Sequence, residues 1–288
     1  MINQKINIEL NRSFHIPLIY SDSRIQEINA LILRLFLQTW RRPATLIAGI
    51  IQPLLWLVLF GGLFHNAPVN IFTLSAHYSH FLSSGIVIFT AFTGALNSGL
   101  PVMFDREFGF LNRLLTAPLI SRNSILVSSA TFMTCISLIQ VTCIVTASSL
   151  VGISTLNSNC FLVFGFIILL VTVGVTMLSL ALAFILPGHI ELLALILVIN
   201  LPFLFSSTAL APLFFMPPWL QLIASINPLS YAIEGVRYLY SRIYWNFTEC
   251  FMTMSWGNVC LWQILILLFI LNIMIAYLVS SILKAKLN

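Results

Sequence analysis

Two long stretches of this chain contain no charged residue, and they constrain what it can fold into more than any other feature. Asp, Glu, Lys and Arg are absent from the 62 residues between Arg42 and Asp105 and from the 68 between Arg122 and Glu191. A helix needs about 20 apolar residues to cross the hydrocarbon core of a bilayer, so each stretch holds two spans and a turn. The turns are visible at His65-Asn66-Ala67-Pro68 through His80 and at Gly152 through Asn159. The stretches from Glu191 to Glu234 and from Glu249 to Lys284 hold one span each, which brings the expected number to six. Apolar runs of this length lack the alternation of a barrel wall, so the fold class is all-α. Only 7% of the 288 residues are charged and 59% are hydrophobic. That composition cannot clothe a soluble surface, and it excludes a soluble enzyme, a disordered chain and a nucleic-acid-binding domain.

The expected spans are 44–64, 80–103, 123–151, 160–186, 192–215 and 258–283, preceded by an amino-terminal tail and amphipathic interfacial helix over 1–43. Residues 44–288 then form a six-helix transmembrane domain. An even number of spans puts both termini on one side. Eleven of the 13 Lys and Arg residues fall there, leaving only Arg237 and Arg242 opposite. By the positive-inside rule that side is cytoplasmic, or stromal in an organelle.

The polar residues also say what drives such a protein. All eight carboxylates (Glu9, Asp22, Glu27, Asp105, Glu107, Glu191, Glu234 and Glu249) lie outside the span cores or at their edges. Coupling to protons or sodium generally keeps an ionisable group within the spans, so this pattern argues against it. No Asp cluster could hold magnesium and a diphosphate, which argues against an isoprenyl-transferase type of membrane enzyme. No GxxxxGK[ST] loop is present, so a chain that moves a solute uphill would need an ATPase on a separate subunit. Five cysteines with no CxxC and no histidine at ligand spacing give no metal site. Cys135 and Cys143 lie within span 3, whereas Cys160, Cys250 and Cys260 fall near the outer face, where a disulfide is open.

Three segments do more than cross lipid. Residues 104–122 are too polar to span and too apolar for a free loop. As a helix they would align Phe104, Phe108, Leu111 and Leu115 in one stripe, with Arg106, Gly109 and Arg113 on another face and Pro118 ending or kinking it. Such a helix can lie in the headgroups or dock a partner. The stretch 23–42 opens on Ser23 and Gln26 at capping-box spacing. It carries Ile25, Ile28, Leu31, Ile32, Leu35 and Phe36 at helical spacing, and is expected to lie along the inner face. On the outer side, Asn227 is a good N-cap and Pro228 a good first residue for a short helix. Glu234 can reach Arg237 or Tyr238 one turn on. This helix reads as a cap folding back over the outer leaflet before span 6.

Asn227-Pro228-Leu229-Ser230-Tyr231, with Arg237 six residues after the tyrosine, resembles the hallmark block of type-2 ABC exporter permeases. Asp105-Arg106-Glu107 through Pro118-Leu119-Ile120-Ser121-Arg122 resembles the same family's cytoplasmic loop after span 2. With the lead-in helix, the six spans and the outer re-entrant helix, the likeness covers most of the chain and is closest to cyanobacterial and algal plastid-encoded permeases. Ser206-Ser207-Thr208 departs from it, being more hydroxylated than the family pattern in span 5.

The resemblance implies a permease subunit, homodimeric or paired with a relative, bound to a separate ATP-binding-cassette subunit that holds ATP and Mg; this chain itself binds no cofactor. It makes 105–122 a coupling helix, with Asp105, Arg106, Glu107, Arg113, Pro118 and Arg122 at the ATPase contact. Asn227, Pro228, Leu229, Tyr231, Glu234 and Arg237 form the family block. Spans 1, 2 and 5 would line the pathway, with Asn97, Ser98, Asn200, Ser206, Ser207 and Thr208 as its polar candidates. Hydrogen bonding between packed helices is the equal reading of those six. The implied substrate is an amphipathic lipid, drug or glycan, and the membrane that of a plastid or, alternatively, the bacterial cytoplasmic membrane. The rival functional reading is a non-transporting assembly or scaffold protein that recruits partners through its amphipathic helices.

Overall fold

A computed structural model describes residues 22–41, 43–64, 78–116, 123–150, 158–241, 245–254 and 257–287. The helices are α1 (Asp22–Trp40), α2 (Pro43–Leu63), α3 (Tyr78–Leu96), α4 (Gly99–Glu107), α5 (Phe110–Thr116) and α6 (Asn123–Leu150). They continue with α7 (Phe161–Ile185), α8 (His189–Phe205), α9 (Pro218–Ile226), α10 (Pro228–Ser241) and α11 (Leu261–Leu287). Among the described residues, five stretches are long and apolar enough to cross a membrane: Leu46–Leu63, Tyr78–Glu107, Ser124–Leu150, Phe161–Ile185 and Leu261–Ser281. They coincide with expected spans 1, 2, 3, 4 and 6.

The fifth expected span, 192–215, differs. Its α-helical part is confined to α8, whose 17 residues extend about 26 Å, with only a single 3-10 turn at Leu213–Phe215 beyond it. The helix stops where the hydroxylated run begins. Ser207 Oγ donates to the Leu204 carbonyl 2.6 Å away, and such a local bond competes with helix continuation. Asn227 Nδ2 takes the carbonyls of Phe203 and Ser206 at 3.1 and 3.2 Å, closing the helix end. The all-α expectation also needs one amendment. Cys250–Met254 (β1) and Gly257–Cys260 (β2) form a small antiparallel hairpin. A disulfide joins Cys250 to Cys260, leaving Cys160 a buried free thiol.

Helix α3 is the centre of the bundle. Fifteen of its 19 residues are buried, and it meets α2, α6, α7, α8 and α10. Lipid tails are as apolar as leucine, so helices in a membrane associate through close packing and hydrogen bonds rather than hydrophobic gain. The residues of α3 suit that rule. Gly85 lets the segment after α8 approach so closely that a Cβ there would stand 2.6 Å from the Ala209 carbonyl oxygen. Ser83, Ser84 and Thr90 donate back to carbonyls of their own helix at 2.9, 3.0 and 2.7 Å, so their hydroxyls are buried at no polar cost.

After Leu96 the helix breaks at Asn97-Ser98 before α4 begins. Ser179 of α7 repairs the break: its Oγ donates to the Leu96 carbonyl at 2.5 Å and accepts from Gly99 N–H at 2.9 Å. A Cβ on Gly99 would lie 2.5 Å from the Ser179 carbonyl oxygen, so only glycine permits this contact. The break redirects span 2 into the elbow formed by α4 and α5.

Candidate functional site

The elbow does not form one helix over 105–122. Gly109, at φ +71°, interrupts it between α4 and α5, a backbone geometry glycine adopts without cost. The expected single stripe from Phe104 to Leu115 is therefore divided. Pro118 and Arg122 lie outside the described residues.

The three charged residues ending α4 each tie it to a different helix. Asp105 Oδ1 accepts from Arg34 Nη2 of α1 at 2.6 Å, and the same guanidinium lies 3.8 Å from the centre of the Phe110 ring. Arg106 donates to the carbonyls of Ala183 and Pro187 at 2.8 and 2.7 Å, and to that of Leu186. These are orphan carbonyls at the C-terminal end of α7, where the helix dipole also favours a cation. Glu107 Oε1 accepts from His189 N–H at 2.8 Å, and its Oε2 lies 2.5 Å from His189 Nδ1. That places a carboxylate on the free N–H groups opening α8.

Asp105, Arg106 and Glu107 thus clamp α4 to α1, to the end of α7 and to the start of α8. Glu107 stays exposed while it makes these bonds, and two further side chains face outward at the elbow. Phe108 is 79% exposed, and Arg113 on α5 is exposed too. The sequence does not single out His189 or Ser179, because each acts on a helix about 80 positions away in the chain.

The Asn227 block is a second junction. Asn227 Oδ1 accepts from Leu229 N–H at 3.0 Å, capping α10, while its Nδ2 closes α8 and also donates to Ser206 Oγ at 3.2 Å. One amide ends one helix and begins another. Pro228 opens α10. Tyr231 donates its hydroxyl to the Ser225 carbonyl of α9 at 2.7 Å.

Glu234 and Arg237 form an ion pair. Arg237 also donates to the Thr208 carbonyl at 2.8 Å and stacks 3.6 Å from the centre of the Phe81 ring. Tyr238 instead reaches Glu249, donating at 2.7 Å. Nine of the 14 residues of α10 are buried, Leu229 among them. The helix packs on α3, α7 and α11 rather than lying as a cover over the bundle.

Most polar pathway candidates are occupied by packing. Asn200 Oδ1 accepts from Thr93 Oγ1 at 3.3 Å between α8 and α3. Ser206 and Ser207 serve the end of α8, and Ser98 and Thr208 are fully buried. Asn97 lines an open cavity.

A bundle of membrane-length helices, an elbow clamped to three of them and a buried helix seated by an Asn-Pro block define a multi-pass permease. The chain belongs to the ABC-2 type transporter family, whose model matches residues 26–241. It is 74% identical over 288 residues to the "Putative transport permease ycf38" of Pyropia yezoensis, covering 100% of this chain and 99% of that relative. A protein of the same name from Porphyra purpurea is 71% identical over 286 residues, covering 99% and 98%. Another from Cyanophora paradoxa is 52% identical over 261 residues, covering 91% and 90%. These relatives are plastid proteins of red algae and a glaucophyte, and the chain is a multi-pass protein of a plastid membrane. It is a membrane subunit for transport and not itself an enzyme.

Proposed function

We propose that this chain is the membrane-spanning half of an ATP-driven exporter, a homodimer or paired half-transporter bound to a separate ATP-binding subunit that carries ATP and Mg. In this reading α8 is the fifth of six spans, both termini face the stroma, and 1–43 and 44–288 are the lead-in and the transmembrane domain. The substrate is an amphipathic lipid, drug or glycan.

The observation that carries the reading is the clamped elbow. A partner seated on Phe108 and Arg113 pushes on α4, and the contacts of Asp105, Arg106 and Glu107 pass that displacement to α1, α7 and α8 together. Two of these contacts sit on the α7–α8 corner, so tilting the elbow moves the entry to span 5. An ATPase that closes on nucleotide would thereby shift the helices at the pathway.

The test is the ATPase rate of the co-expressed cassette subunit, with and without this chain in lipid nanodiscs. Stimulation by the wild-type chain, lost in Phe108→Ala with Arg113→Ala, supports the reading. A rate indifferent to the chain would favour a scaffold.

A further inference from the structure

A cavity of about 370 Å³ lies among α1, α2, α3, α4 and α6, away from the Asn227 junction. Its lining is chemically mixed: Leu35, Leu100, Phe104 and Phe132 contribute apolar surface, and Gln38, Gln52, Thr93, Asn97 and Gln140 supply amides and a hydroxyl. Among the described residues lining it there is no Asp, Glu, Lys or Arg. Its size falls within the range of about 300–1,000 Å³ typical of small-molecule sites.

Gln140 is the lining residue of this cavity with a buried polar atom left unpaired among the described residues. It sits mid-way along α6, only 7% exposed, and its Oε1 finds no hydrogen-bond partner among the described residues. A buried amide oxygen left unpaired carries a desolvation cost. Two glycines nevertheless make room for it. A Cβ on Gly49 of α2 would overlap the Gln140 amide nitrogen, and one on Gly94 of α3 would stand 2.6 Å from Oε1. Two neighbouring helices thus make way for a polar head that nothing in the described chain satisfies.

We infer that this cavity binds an uncharged, multiply hydroxylated amphiphile, with a glycosyl head on the amides and an alkyl chain along Leu35, Leu100, Phe104 and Phe132. Amides both donate and accept, as sugar hydroxyls do, so the two sets satisfy one another. An ionic headgroup would meet no counter-charge among the described lining residues and would lose its hydration uncompensated by them. A free sugar would leave the apolar surface unused. The inference deepens the export reading by giving a chemical class to what enters from the membrane.

The test uses the full chain in phosphatidylcholine nanodiscs, without nucleotide or partner, and photoreactive alkyl maltoside as probe. Labelling is mapped to the α3 and α6 peptides lining the cavity. The wild type is expected to label there, and Gln140→Leu to label about tenfold less, the weight of one hydrogen bond lost in a dry site. Gln52→Leu, at the exposed rim, is expected to reduce labelling less. Because Gln52 is exposed, that variant gives a reading even where Gln140→Leu inserts poorly.

Three results would each overturn the inference. They are equal labelling of wild type and both variants, equal labelling by an anionic alkyl phosphate probe, and displacement by free maltose as effective as by alkyl maltoside. Binding is read without ATP turnover, so failure here leaves the export reading standing. Loss of ATPase stimulation with labelling intact would strike only the export reading.

Discussion

Asn227 shows how much a single side chain can decide. Its carbonyl oxygen caps α10 and its amide nitrogen closes α8. Asn227→Ala therefore removes an N-cap and orphans carbonyls in a buried junction at once, for a loss of about 2–4 kcal/mol. Asn227→Asp retains the cap acceptor but turns a carboxylate oxygen toward the carbonyls of Phe203 and Ser206, so it is expected to recover little. Thermal unfolding in detergent checks this. Asn227→Ala should lower the midpoint clearly more than Asn97→Ala, and equal midpoints would refute the double-cap role. Gly99 makes a comparable point by subtraction, because any Cβ there meets the Ser179 backbone, which cannot move out of the way. Gly99→Ala is expected to destabilise as strongly as an overpacked core, by about 1–3 kcal/mol, in the same assay.

The elbow is where element and residue have to be weighed together. A sequence read with helical periodicity shows that 104–116 is amphipathic, and it shows a charged run at the end of span 2. It does not show which way those charges face. Arg106 and Glu107 look like surface residues for a partner; the fold instead turns them onto the ends of α7 and α8, about 80 positions along the chain. Nothing local encodes that pairing, since its partners are the carbonyls where α7 ends and the backbone N–H and ring Nδ1 of His189 where α8 begins. Asn227 was legible because a cap lies next to the helix it caps; Gln140 was not, because its meaning depends on glycines in two other helices.

The clamp makes a separable expectation. Arg106→Ala with Glu107→Ala should leave the protein inserted and the partner bound, yet uncouple ATP hydrolysis from transport. Phe108→Ala with Arg113→Ala should weaken partner binding itself. Co-purification in mild detergent alongside transport in vesicles separates the two. Normal export by the Arg106/Glu107 double variant would remove the clamp from the mechanism.

For the molecule as a whole, charge placement and helix length act together. In the proposed six-span reading eleven of the 13 basic residues fall on the stromal side, so a lysine introduced as Asn70→Lys should be modified by an impermeant reagent from the outer side only. Helix α8 fits that scheme least well. It buries Leu192, Ile196, Asn200 and Leu204, a single i, i+4 stripe. It leaves Leu193, Leu197, Val198, Leu201 and Phe205 exposed. At about 26 Å it is also short for a ~30 Å core, and a short apolar helix is relieved by oligomerising or by thinning the bilayer. A second copy of the chain would cover the exposed side and relieve the mismatch at once. Cysteines introduced as Leu197→Cys or Leu201→Cys, with the native Cys135, Cys143 and Cys160 changed to serine, should then cross-link between copies in the membrane. A cysteine at Trp262 on α11, 44% exposed, should not. Equal cross-linking at both helices would mean random collision, and the dimer would have to be sought on another face.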